Sequence, residues 1–135
     1  KWGPAPAVRP AGGEAAVLFG DPSKEGLFAL RLKLPEGYSV PPHTHPVDEV
    51  LTVISGIFSM GMGENADQSK AQPFPAGSFH ALPPGTAHYV FIKEETIVQI
   101  STNGPWGLTY INPEDDPRQK SQSRQKSQWP SAPGR

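Results

Sequence analysis

The stretch Pro41-Pro42-His43-Thr44-His45-Pro46-Val47-Asp48-Glu49 places two histidines and a glutamate at odd-numbered positions. On an extended backbone successive side chains alternate between faces, so residues 43, 45 and 49 share one face. Pro46 interrupts the ladder between them. Pro41-Pro42 stiffens the approach to His43 and lowers the cost of ordering the pair.

Outward from this stretch the chain reads as short strands. Phe28, Leu30, Leu32 and Leu34 alternate with Ala29, Arg31 and Lys33, which puts one face on a core and the other in water. Further strands are expected over residues 14–19, 49–55, 57–63, 78–82, 88–93, 96–101 and 108–111. Gly20-Asp21-Pro22, Gly56 and Glu94-Glu95 are the turns, and residues 64–73 a polar loop. Seventeen prolines and fourteen glycines in 135 residues are roughly twice the ordinary share and favour turns over helices. Short strands with frequent turns define a sandwich, jelly roll or barrel.

Length allows one domain. Residues 1–13, rich in Pro, Gly and Ala, read as an arm in which Trp2 and Val8 can pin to a neighbouring surface. Residues 14–112 form the barrel. Residues 113–135 form a polar tail, expected to be flexible, with Trp129 as its one anchor. A net charge of −1 gives no field for nucleic acid or an anionic membrane, and no run reaches the ~20 apolar residues of a spanning helix. The absence of cysteine excludes disulfides, thiolate nucleophiles and thiolate metal sites. The chain opens on Lys1 and not on Met, so a bacterial cytoplasmic protein and a processed periplasmic or secreted one both stay open.

His88 follows Pro83-Pro84-Gly85 on a separate segment and can meet the first three groups across a barrel interior. Three imidazoles and a carboxylate make an N/O donor set suited to Fe, Mn, Zn, Ni or Co as divalent ions. His80 lies in an extended run and is assigned to structure.

The wider spacing is more specific. Gly37, His43, His45, Glu49 and Gly56 stand as G-x5-H-x-H-x3-E-x6-G, and Gly77, Pro83, Gly85 and His88 as G-x5-P-x-G-x2-H. In order and spacing these resemble the two boxes of the cupin superfamily, over residues 37–92. The resemblance implies an all-β fold, a double-stranded β-helix or jelly-roll barrel of the RmlC-like monocupin kind. It also implies one divalent transition-metal ion held by His43, His45, Glu49 and His88. The second box often carries an Asn where Ile92 stands, but that Asn is not a ligand. Gly104-Pro105-Trp106-Gly107, followed by residues 112–118, is similar to a small bacterial cupin group. Gly56 and Gly85 are expected to adopt positive φ.

Parity lines the site with Leu51, Val53, Val90 and Ile92. Phe58, Met60 and Met62 form an adjacent stripe, read first as core and second as adaptable pocket lining. Gln99 is expected to face the cavity, and Tyr89 to point away from it. The visible cations, Arg31 and Lys33, face outward, so the expected substrate is a small, largely apolar organic molecule and not a polyanion. The function expected is that of a metal-dependent enzyme, a dioxygenase or other oxidoreductase. The alternatives are a cupin isomerase or lyase, and a non-catalytic metal- or ligand-binding module. Monocupins of this kind pair as homodimers, and the arm bearing Trp2 could cross to the partner.

Overall fold

The Phe28–Leu34 alternation falls within a nine-residue strand of the computed structural model, which describes residues 1–119. The strands, in chain order among the described residues, are β1 (Gly3–Pro4), β2 (Glu14–Phe19), β3 (Gly26–Leu34), β4 (Ser39–Thr44), β5 (Glu49–Ser55), β6 (Ile57–Met62), β7 (Gln72–Pro75), β8 (Phe79–Leu82), β9 (His88–Phe91), β10 (Thr96–Gly104) and β11 (Thr109–Tyr110). They form two antiparallel sheets, ordered β1-β2-β3-β10-β5-β8 and β11-β4-β9-β6-β7. The two sheets face each other as a jelly-roll barrel, the fold the box spacing implied.

Alternation decides what lies between the sheets. Phe28, Leu30, Leu32 and Leu34 from β3, Leu51 and Val53 from β5, and Val98 and Ile100 from β10 are buried on one side. Val40, Phe58, Met60 and Val90 meet them from the other. Each fully buried Leu, Ile or Phe contributes about 1.5–3 kcal/mol, so this stripe is the main apolar stabilisation of the barrel.

Three strands escape the sequence reading. β4 was hidden by Pro41-Pro42, since proline withdraws a donor from the ladder. The structure places both prolines where the β4–β9 register shifts, between Val40 and His43, a bulge that needs no ladder hydrogen bond from them. β7 lies at the end of the segment read as loop, with Pro73 and Pro75 on an edge strand, where proline is tolerated. β1 ties the arm to the sheet through Gly3 opposite Ala15, and Lys33 Nζ lies 4.6 Å over the Trp2 ring. Gly56 and Gly85 take positive φ, 81° and 78°, as expected. The first residues of the predicted tail form a short 3₁₀ turn, Pro113–Asp115, capped by the Asn112 side chain. The rest of that expectation, residues 120–135 with Trp129, lies outside the described residues.

Candidate metal centre

Four residues of the boxes converge inside the barrel. His43 is the penultimate residue of β4, His45 follows the strand, Glu49 opens β5 and His88 opens β9. His43 pairs directly with His88 across the β4–β9 ladder, which puts the two rings on one face. All four side chains are buried. The ligating nitrogens of His43, His45 and His88 lie within 4.8 Å of one another. Glu49 closes the group, with Oε2 3.4 Å from His45 Nε2 and Oε1 3.2 Å from His88 Nε2.

Backbone carbonyls fix the tautomers. His43 Nδ1 donates to Pro41 O at 2.7 Å, His45 Nδ1 to Gly107 O at 2.8 Å and His88 Nδ1 to Thr86 O at 3.0 Å. A ring that donates from Nδ1 presents a bare lone pair at Nε2. Burial, reinforced by His88 and His45, pushes His43 down to about 2, so this ring is neutral near pH 7. Burial alone would raise the Glu49 carboxyl. N–H groups aimed at it, from His80 and from His45 and His88 whenever these rings carry a proton at Nε2, outweigh burial and hold the carboxyl well below the ordinary carboxylate range.

The cluster is therefore almost entirely an acceptor site. His45 Nε2 and His88 Nε2 are buried without a hydrogen-bond partner, although a carboxylate lies close. Lone pairs facing a carboxylate repel unless a cation sits among them. Leaving such buried groups unsatisfied costs about 1–3 kcal/mol each. Orphaned nitrogens, carbonyl-anchored Nδ1–H groups and one carboxylate match the donor set and the outer hydrogen bonds of a transition-metal site.

Two residues beside the site were not assigned to it from sequence. His80, read as structural, lies on β8 opposite Leu51, and its Nε2–H donates to Glu49 Oε1 at 3.3 Å. Period-two alternation from Leu82 could have found it, because residues 80 and 82 share a face. Trp106 stacks on His45 with ring centroids 4.2 Å apart, while its neighbour Gly107 supplies the carbonyl that holds that ring. The Gly-Pro-Trp-Gly segment was noticed in sequence for its resemblance, but irregular backbone gives no parity to place it.

The expected pocket lining divides. Met60 and Val90 are opposite one another in the core, and Val90 also lines the small cavity beside His43 and Glu49, as expected, while Met60 does not. Met62 pairs with His88 on the same ladder but is 52 % exposed, so it sits at the rim and not within the pocket. Gln99 does not face the cavity. Val98 and Ile100 take the inward positions, and Gln99 Oε1 accepts from Arg31 Nε at 3.0 Å on the outer face. Tyr89 points outward as expected, packs over Gly61 and donates to Asp67 O at 3.0 Å.

A barrel of this topology, with three buried histidines and a glutamate grouped inside it, has the cupin fold. The chain belongs to the family described as "Domain of unknown function (DUF4437)", whose model matches residues 1–125. No curated protein matches it. Similar solved structures include the polyketide cyclase RemF from Streptomyces resistomycificus (16 % identity, TM-score 0.64, 82 % of this chain and 78 % of that one). KdgF from Halomonas sp. is similar at 18 % identity and TM-score 0.57, over 76 % and 84 % of the two chains. The DMSP lyase DddQ from Ruegeria pomeroyi DSS-3 is similar at 19 % identity and TM-score 0.61, over 74 % of this chain and 52 % of that one. At these identities the likeness is one of fold.

Proposed function

We propose that this cupin is a metal-dependent enzyme, an oxidoreductase of the dioxygenase kind, acting on a small and largely apolar organic molecule. His43, His45, Glu49 and His88 would hold one divalent ion, with Fe, Mn or Zn the best fits to an N₃O set and Ni or Co also compatible. The observation that carries the reading is the pair of buried Nε2 atoms without partners beside an ionised Glu49. When bound, such an ion supplies Lewis acidity and open positions for substrate or O₂.

The chain's own residues do the rest. The three carbonyl acceptors orient the imidazoles, and Trp106 shields one face of His45 from water. The core residues Leu51, Val90 and Ile100 keep the surroundings apolar, which strengthens electrostatic interactions at the centre. No thiol or serine nucleophile is required. The named activities of similar structures, a cyclase and a lyase, keep isomerase or lyase chemistry as the second reading. A homodimer is part of the proposal, and light scattering at micromolar concentration tests it.

The reaction is tested by O₂ uptake of Fe(II)-loaded protein with β-diketones, catechols, flavonols and thiols. Uptake with one class that disappears in H88A is the expected result. Silence across the panel with a full metal complement overturns the oxidoreductase reading.

A further inference from the structure

Arg9 reaches the barrel interior from the N-terminal arm. It is only 8 % exposed, and it lines a small internal cavity together with His43, Glu49 and Val90. The arm is clamped on either side of it. Tyr110 Oη donates to Val8 O at 2.6 Å, and Tyr38 Oη donates to Pro10 O at 2.8 Å. Both tyrosines are buried, so the carbonyls flanking Arg9 are held from within the barrel. The guanidinium lies beside the hydroxyls of Tyr38 and Tyr110, which are neutral; among the described residues no carboxylate lies within 4.0 Å of it, and residues 120–135 contain no Asp or Glu.

A guanidinium stays charged at any ordinary pH, and burying an unpaired charge is costly. Without metal, Arg9 and Glu49 cancel across the cavity. With a divalent ion, the ion, Glu49 and Arg9 together leave a net charge of +2 in an apolar interior. An anion is the natural complement. The cavity, about 10 Å³, has room for a group the size of a water, which admits a carboxylate oxygen and excludes a phosphoryl group. Arg9 also lines a surface groove of about 550 Å³ with Pro4, Pro6, Pro10 and Pro117. It thus stands between solvent and the centre, with apolar surface on the outer side for the rest of a ligand.

We propose that Arg9 is the anion-binding residue of the site and that the substrate is a small organic carboxylate, its charged head on Arg9 and its apolar body in the groove. This rests on the metal reading above and narrows it. It also corrects the expectation of a pocket without cations: Arg9 sits in the segment read as an irregular arm, where no periodicity assigns a side chain to the interior.

The test is a ¹H–¹⁵N titration of zinc-loaded and metal-free protein with acetate, against acetamide as its neutral isostere, for wild type, R9M and R9K. Zinc affinity is measured in parallel by chelator competition. Zinc-loaded wild type should bind acetate at least tenfold more tightly than R9M and more tightly than it binds acetamide. R9K should fall between, and zinc affinity should change by less than threefold. Acetate affinity within threefold of wild type in R9M overturns the proposal; if R9M does not fold, acetate binding by R9K as tight as that of wild type overturns it. If wild type takes up no zinc, the metal reading fails by itself, and the same comparison on metal-free protein still decides the role of Arg9.

Discussion

His80 Nε2–H donates to Glu49 Oε1 at 3.3 Å, from a strand that carries no proposed ligand. The same oxygen lies 3.2 Å from His88 Nε2, so the bond fixes the one carboxylate of the site against the ladder that pairs His43 with His88. It places a fourth histidine behind the first three.

Removing that support should loosen the site without emptying it. H80A is expected to weaken metal binding by about 10–100-fold, the usual effect of losing an outer hydrogen bond to a ligand. H80Q keeps a donor and should recover most of the loss. Chelator competition reads both affinities. An H80A protein with wild-type affinity would show that Glu49 needs no such support.

The Tyr89–Gly61 pair gives a stability prediction on the opposite face of the sheet. A Cβ built on Gly61 would overlap the Tyr89 ring, whose hydroxyl is tied to Asp67 O. Overpacking of this kind costs about 1–3 kcal/mol, so G61A should lower unfolding free energy by that amount. Combining it with Y89L should relieve part of the cost. Urea denaturation of the four proteins gives the coupling; strict additivity would mean the ring simply swings aside.

Acid should destabilise the metal-free protein. His43 in the folded state is depressed to about 2, while an unfolded histidine titrates near 6.5. Between those values the unfolded chain binds the extra proton, so stability is complete above pH 6.5 and falls as pH drops below it. Glu49, also depressed, adds a loss in the same direction below about pH 4.5. Unfolding free energies from urea titrations between pH 8 and pH 5 should decline with a slope approaching about 1.4 kcal/mol per pH unit for the His43 proton, and H43N should flatten that part. A flat profile in wild type would contradict the buried neutral ring.

Alternation and box spacing carried most of the fold and the four-residue cluster, because β3, β5 and β10 alternate cleanly and the box glycines mark turns. What stayed hidden has a physical reason in each case. Pro41-Pro42 masked β4 because proline in a bulge looks like proline that ends a strand. Gln99 is a polar residue in an apolar strand, a pattern that suggests a cavity group, whereas it answers Arg31 on the outside. Trp106 and Arg9 lie in irregular segments, and only tertiary contacts bring them to the centre. His80 was legible by parity with Leu82, yet carried no motif.

That the three imidazoles and Glu49 form a metal site is checked by elemental analysis of purified protein after dialysis against a defined metal mixture. About one transition-metal ion per chain is expected for wild type, and near none for the H43A/H45A double variant with its fold checked by circular dichroism. Stoichiometric metal retained by the folded double variant, or a wild type that takes up no metal at all, would contradict it.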